Sequence, residues 1–431
     1  MNPTQSGMAG SWIGATGFSV SLLFLCAFPN GGLAQTTSDM PTMALSEALT
    51  RALDKDPRSG GLVARRRAAD AGVMQADVRP NPTVAIEIEN IAGIGGISLL
   101  DRSEVTATYE QPIERGGDRP ARVSLARLEI RLVNAEADVR RLDLLERVQL
   151  TFAEALGAQA DLDIARERLA VTERFRDEVA RRVRVARDPL FAGSRADAEL
   201  ALAQIDLDQA ETAANAARRS LAAFWMGAPN FILDPELFEA TALLKPSFEV
   251  ITPDARLIET QRALAVARMK VEQARAIPDA SIRVGARALW DDRAIAFVVG
   301  GSIPLGRYDQ NRGAVERAQA EQAVADADLI ALRTETSREI LRLQARLLAA
   351  ADEARRIENE IIPIAGKAVA QVREGFNRGG FAYDDVIAAQ RALLDAQTRR
   401  IAVLKSFHLD RARLDRLVGA HQGLLAREIT P

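Results

Sequence analysis

Hydrophobic residues recur along this chain with two periods. Over residues 119–187 they fall three and four apart: Leu125, Leu128, Leu132, Ala135, Val139, Leu142, Leu145, Val148, Phe152, Leu156. No proline lies beyond the first turn, and Gly157 is the one glycine inside. This spacing predicts a helix, and at 1.5 Å per residue a rod of about 100 Å. Breaks at Asp188-Pro189 and Ala192-Gly193 turn it back into a second helix over 195–226. Residues 311–377 and 384–418 repeat the plan, with Arg378-Gly379-Gly380 at the turn. A shorter helix over 44–79, interrupted at Asp56-Pro57, ends at Pro80-Asn81-Pro82, where proline removes the donor that would continue it.

Elsewhere the period drops to two. Over 83–91, Val84, Ile86 and Ile88 oppose Ala85, Glu87 and Glu89. Over 103–111, Val105, Ala107 and Tyr109 oppose Glu104, Thr106, Thr108 and Glu110. Residues 281–290 alternate Ile282, Val284, Ala286, Ala288 and Trp290 with Arg283, Gly285 and Arg287, and a turn at Asp291-Asp292-Arg293 leads into 294–303. Alternation of this kind predicts four strands in two hairpins. The polar face is acidic in the first hairpin and basic in the second.

The two halves are one plan made twice. The strand-to-helix stretch 111–126 recurs at 303–318, pairing Pro112 with Pro304, Arg119 with Asn311 and Ala126 with Ala318. The helices before the strands recur as well, Pro57 and Pro82 against Pro253 and Pro278. Repetition on this scale argues for one continuous body where length alone allows two or three domains. The expected organisation is a signal segment over 1–34, a first repeat over 35–227, a connector over 228–252, a second repeat over 253–420 and a tail over 421–431.

Composition narrows the setting. A formal net charge of −3 gives no reason to expect nucleic acid. Residues 1–38 carry no charge and contain an apolar run over 18–28, with Gly32-Leu33-Ala34 offering small residues for cleavage. Cys26, the single cysteine, lies inside that run behind Leu25, which is too bulky for a lipid-modified cysteine. The exported chain should then lack cysteine. No later stretch approaches the ~20 apolar residues of a spanning helix. If the chain enters a membrane, it does so as strands.

Four strands cannot close a barrel, and an open edge cannot face lipid because its N–H and C=O groups find no partner there. An exported chain with lipid-facing strands must pool them with copies of itself. Three copies would build a twelve-stranded barrel with the helical hairpins hanging from it as a tunnel. That shape is a conduit.

The motifs resemble those of the TolC superfamily of outer-membrane efflux and secretion ducts. They are Pro80-Asn81-Pro82 before a strand, Gln111-Pro112-Ile113 followed by Gly116-Gly117-Asp118-Arg119, Pro304-Leu305 followed by Asn311-Arg312-Gly313, and Gly379-Gly380-Phe381 leading to Asp385, Gln390 and Leu394. The resemblance covers residues 43–420. Its first junction is most similar to the CzcC-type branch, the outer-membrane components of heavy-metal efflux. It implies a homotrimer in the outer membrane, with its helical tunnel in the periplasm, docked to a periplasmic adaptor and an inner-membrane RND-type pump. It also implies a periplasmic tip where Gly193, Ser194, Arg195, Gly380, Phe381 and Tyr383 meet the adaptor. Members narrow this tip with two acidic residues one helical turn apart. Asp385 takes the first position and Ala388 the second, so Asp384 is the further gate candidate; the bland alternative is a helix N-terminus favouring acidic residues.

Other candidates carry two readings each. Glu87, Glu89, Glu104 and Glu110, facing Arg283 and Arg287 in the barrel lumen, either guide a cation or set register through cross-strand ion pairs. Tyr109 and Trp290 fit an aromatic girdle or ordinary packing. His408 and His421, the two histidines, stand thirteen residues apart with no clustered ligand, which argues against a metal site. No phosphate loop or nucleophile–base pair is present in the motifs, so an enzyme and a cofactor are not expected. Two other functions fit parts of the pattern: the exit duct of a type I protein secretion system, and a periplasmic coiled-coil scaffold or adaptor that makes no pore. A scaffold has no use for the apolar strand faces.

Overall fold

Prolines and positive-φ residues punctuate the helices. In the computed structural model, residues 40–91, 102–242 and 252–426 are described. The expected signal segment, the glycines at 93–96 and the last five residues of the tail lie outside them. From Pro41 on the chain forms one unit. It opens with β1 (Thr42–Met43), α1 (Leu45–Asp54) and α2 (Ser59–Ala76), then β2 (Thr83–Glu89) and β3 (Glu104–Ile113). The long α3 (Asp118–Arg184) and α4 (Leu190–Ala222) follow. After β4 (Ile232–Leu233) and α5 (Pro235–Glu239) come α6 (Pro253–Arg275), β5 (Ala280–Leu289) and β6 (Ala294–Ser302). Then come α7 (Arg312–Arg356), α8 (Ile362–Arg378) and α9 (Tyr383–Leu417), followed by a short 3-10 turn, Gln422–Ala426. The fold is mainly helical with few strands.

Both strand-to-helix junctions depend on a left-handed residue. Gly117 has φ +78° just before α3, where a side chain would be strained. Its neighbour Gly116 presses on the Ala274 carbonyl at the end of α6, leaving no room for a Cβ. At the second junction Asn311 takes the same place at φ +54°, and its Nδ2 donates to the Glu272 carbonyl and carboxylate, 2.8 Å each. Asparagine tolerates this region because its short side chain can bond locally. The structural partner of Asn311 is therefore Gly117, two residues before the Arg119 that sequence comparison paired with it.

Two helix boundaries also differ from expectation. The helix expected to start at Arg195 starts at Leu190, with Pro189 extended at its N-cap, and runs through Ala192-Gly193 unbroken. Proline at a helix start gives up a donor that would go unpaired anyway, so it begins the helix and the glycine does not end it. The helix expected over 311–377 contains a π-turn, Ile357–Ile361, two residues before Pro363. Proline lacks the N–H for its i−4 bond and crowds the carbonyl at Asn359, and the widened turn accommodates both.

The four long strands form one antiparallel sheet in the order β2-β3-β5-β6. The expected hairpins thus join edge to edge, β3 against β5 from Glu104↔Leu289 to Ile113↔Ala280. Around the middle of α3, Leu142, Leu145, Val148 and Phe152 pack with Leu49, Leu221, Phe231, Leu233, Phe238 and Leu404. The connector is pinned there. β4 pairs in parallel with β1, and the Gln159 amide bonds both backbone groups of Leu233 at 3.1 and 3.3 Å. Among the described residues, no helix is long and apolar enough to cross a membrane.

Candidate functional site

Strand register sorts the sheet into two chemically distinct faces. Antiparallel partners place Val84, Tyr109, Val284 and Val299 in one row, Ile86, Ala107, Ala286 and Phe297 in the next, and Ile88, Val105, Ala288 and Ile295 in a third. Side chains alternate along each strand, so these rows share a face. On this single chain they lie open: Phe297 is 87% exposed, Val299 79% and Val84 73%. Tyr109 belongs to the apolar face, and Trp290 stands exposed at the turn end of β5.

The opposite face carries Thr83, Glu110, Arg283 and Gly300 in one row and Glu87, Thr106, Arg287 and Ala296 in another. Acidic and basic hairpins meet along the β3–β5 seam. Arg283 pairs with Glu110 at 3.1 Å. Arg287 reaches Glu104 at 2.9 Å and Glu89 at 3.3 Å, and its Nε donates to buried Thr106 Oγ1 at 3.0 Å. Glu87 makes no ion pair among the described residues. Gly285 lets the seam close, since a Cβ there would collide with the Ala107 carbonyl and meet Thr108 Cγ2 at 2.8 Å. Among the described residues, neither outer edge, β2 or β6, has a further partner strand.

At the far end of the helices the two hairpins are tied together. Phe175 of α3 contacts Phe376 of α8 at 5.8 Å and stacks on Tyr383 of α9 at 5.4 Å. Arg182 lies 4.1 Å over the Phe376 ring, donates to its carbonyl at 2.8 Å and pairs with Asp188 at 2.8 Å. Arg391 meets Glu199 at 2.7 Å, and Arg373 meets Glu178 at 3.4 Å.

The tip candidates separate into different environments. Gly193, Ser194 and Arg195 lie in the first turns of α4, not in the loop before it. That loop instead presents Val185, with Leu190 and Phe191 at the start of α4, all well exposed. Pro189, as a helix-start signal, could have located them. Gly379 at φ +84° and the Gly380 N–H bonded to the Gly375 carbonyl at 2.9 Å close α8, with Phe381 folded back over Gly375. Tyr383 is half-buried between the hairpins, not displayed outward. Burial, then the nearby Glu199 carboxylate, raise its pKa, so the hydroxyl stays neutral. Asp384 pairs with Arg195 across the hairpins. Asp385 accepts from the Ala382 N–H at 2.8 Å, a helix-start role.

Both histidines are packed. His408 Nε2 donates to the Phe238 carbonyl at 2.8 Å, and His421 Nε2 lies 2.7 Å from Gln149 Nε2. Burial pushes both pKa values down. Sequence reasoning missed Arg416, which joins Asp143 of α3 (2.7 Å) to Asp254 of α6 (2.9 Å); nothing in its local spacing marks it among so many arginines.

Comparison with known proteins places this geometry. Residues 252–420 match the outer membrane efflux protein family. The chain is 27% identical over 413 residues to the cobalt-zinc-cadmium resistance protein CzcC of Cupriavidus metallidurans, covering 91% of this chain and 96% of that one. This chain is similar to the outer membrane efflux proteins. The similarity points to an efflux channel component of the outer membrane. The nickel and cobalt resistance protein CnrC of the same organism is also 27% identical, over 67% of this chain and 70% of that one. Its fold is that of two solved structures. One is the outer membrane protein VceC from Vibrio cholerae (TM-score 0.67, 19% identity, 87% of this chain, 96% of that one). The other is CusC, described in connection with folding and transmembrane channel formation (TM-score 0.68, 14% identity, 87% and 91%).

Proposed function

We propose that three copies of this efflux protein join their sheets, β6 of each pairing with β2 of the next, into a twelve-stranded barrel continued by a periplasmic helical tunnel. The observation that carries this is the register: one face of the sheet is apolar and exposed, the other is charged, and two edges are open. An open edge in hydrocarbon leaves backbone groups unpaired, and ring closure satisfies them. Strands of seven to ten residues span about 23–33 Å, which suits the ~25 Å apolar band of outer-membrane barrels.

In this reading Glu87, Glu89, Glu104 and Glu110 line the lumen with Arg283 and Arg287, and the excess of carboxylate favours cations. Heavy-metal cations or small toxic compounds are the cargo, the former in keeping with the metal-resistance proteins the chain resembles. The channel itself is passive and conducts what an RND-type inner-membrane pump delivers through a periplasmic adaptor. The adaptor meets the tip at Gly193, Ser194, Arg195, Gly380 and Phe381, joined by Leu190 and Phe191. Asp384, bridged to Arg195, restrains the tip, whereas Asp385 holds the start of α9. The proposed domain plan has two repeats over 35–227 and 253–420 with a connector between them.

The test is single-channel conductance in planar bilayers alongside the oligomer mass in detergent. Discrete conductance from a trimer supports the duct. A water-soluble chain with neither trimer nor conductance refutes it and favours a periplasmic scaffold.

A further inference from the structure

Between the two helical hairpins, inside one chain, lies a cavity of about 290 Å³ walled by α3, α4, α8 and α9. That approaches the lower bound of small-molecule sites. Its floor is apolar and aromatic, with Phe175, Ile387 and Leu394 beside the Tyr383 ring. Five guanidiniums line the cavity with the carboxylates of Glu167 and Glu199, and of the five Arg168 is paired with Asp206 and Arg176 with Asp197. Arg174 has no carboxylate partner among the described residues and donates only to the Ala170 carbonyl of its own helix, at 3.0 Å. Arg391 and Arg373 each spend one terminal nitrogen on a carboxylate and keep further donors.

We propose that this cavity binds a small amphipathic organic anion, an aromatic ring bearing a carboxylate or sulfonate. The ring lies on the Phe175–Ile387 floor, and the anion takes hydrogen bonds from Arg174 and Arg391. A cation is disfavoured by the guanidiniums, and a neutral apolar molecule leaves Arg174 without an anionic partner. Because Arg174 and Phe175 belong to the first repeat and Tyr383 and Arg391 to the second, the occupant fastens the hairpins to each other near the tip. The site is complete within one chain, so it does not depend on barrel formation.

The test is calorimetric titration of naphthalene-2-sulfonate into the full chain in lipid nanodiscs, or in buffer should the chain prove soluble. Its neutral analogue 2-naphthylmethanol is the control. Saturable binding of one probe per protomer is expected, with the neutral analogue at least about tenfold weaker, as the loss of a charge-assisted hydrogen bond requires. Leu394→Trp, which fills the cavity, should abolish binding. Arg174→Glu, at an exposed position that leaves the packing intact, should weaken it about tenfold or more. Absence of saturable binding overturns the proposal. So does equal affinity for the neutral analogue, or unchanged affinity in Arg174→Glu.

Discussion

Replacing Phe297 by arginine separates a lipid-facing sheet from a soluble one. Phe297 sits near the centre of β6, on the apolar face, in the row shared with Ile86, Ala107 and Ala286. In a barrel wall this row lies close to the bilayer midplane, where an arginine facing lipid costs about 2–4 kcal/mol. Three copies multiply that to about 6–12 kcal/mol per trimer, comparable with the whole stability of a typical domain, about 5–15 kcal/mol. Phe297→Arg should therefore sharply reduce the trimer recovered in outer membranes and lower its urea midpoint after refolding into lipid. The control is Ala296→Glu, one residue away on the charged face, in the row with Glu87, Thr106 and Arg287, where the new carboxylate faces its cross-strand guanidinium. It avoids lipid and should assemble normally. On a water-soluble scaffold either change at a solvated position costs no more than about 0.5 kcal/mol. Indistinguishable recovery and midpoints for the two variants would refute the barrel assignment.

Four further outcomes follow from named contacts. Gly285→Val should prevent the β3–β5 seam from closing and abolish folded yield, while Gly300→Val, with open space around it, should be tolerated; membrane-fraction yield compares them. Arg416→Met leaves Asp143 and Asp254 unbridged and should cost about 2–3 kcal/mol in denaturant unfolding, less than a fully buried pair because both carboxylates stay partly solvated. His408 is held neutral by burial, its pKa below the ordinary 6.5, so the unfolded chain takes up a proton first as pH falls. Its stabilising contribution is complete above pH 6.5 and lost progressively below it, and His408→Gln should flatten the thermal-stability profile between about pH 7 and 5. Asp384→Ala releases Arg195 and should raise single-channel conductance, whereas Asp385→Ala should lower thermal stability by about 1 kcal/mol through its lost helix-start bond; equal conductance in wild type and Asp384→Ala would remove Asp384 from the gate.

Local period was enough to place the long helices and the four strands. A side chain's neighbours on its own element are set by 3.6- or 2-residue repeats, which the sequence carries in full. The alternation Val84, Ile86, Ile88 against Glu87, Glu89 divides the faces before any folding. The repeat and its glycine-bearing junctions were legible for the same reason, and the Pro80-Asn81-Pro82 and Gly379-Gly380 boundaries followed from backbone chemistry alone.

What period cannot state is which strand meets which. That the two hairpins share a seam, bringing Arg283 to Glu110 and Arg287 to Glu89 and Glu104, depends on contacts between residues some 170 to 200 positions apart. The same holds for the Arg416 bridge, for Tyr383 turned inward onto Phe175, and for the two-residue connector strand Ile232–Leu233, too short to have a period. Asn311 could be matched to Gly117 only through its left-handed backbone and its bonds to Glu272. Sequence alone determined a duplicated, mainly helical chain with lipid-suited strands. Tertiary structure decided which charges face each other, because pairing across a sheet or between hairpins is set by packing of distant segments, not by the spacing within any one of them.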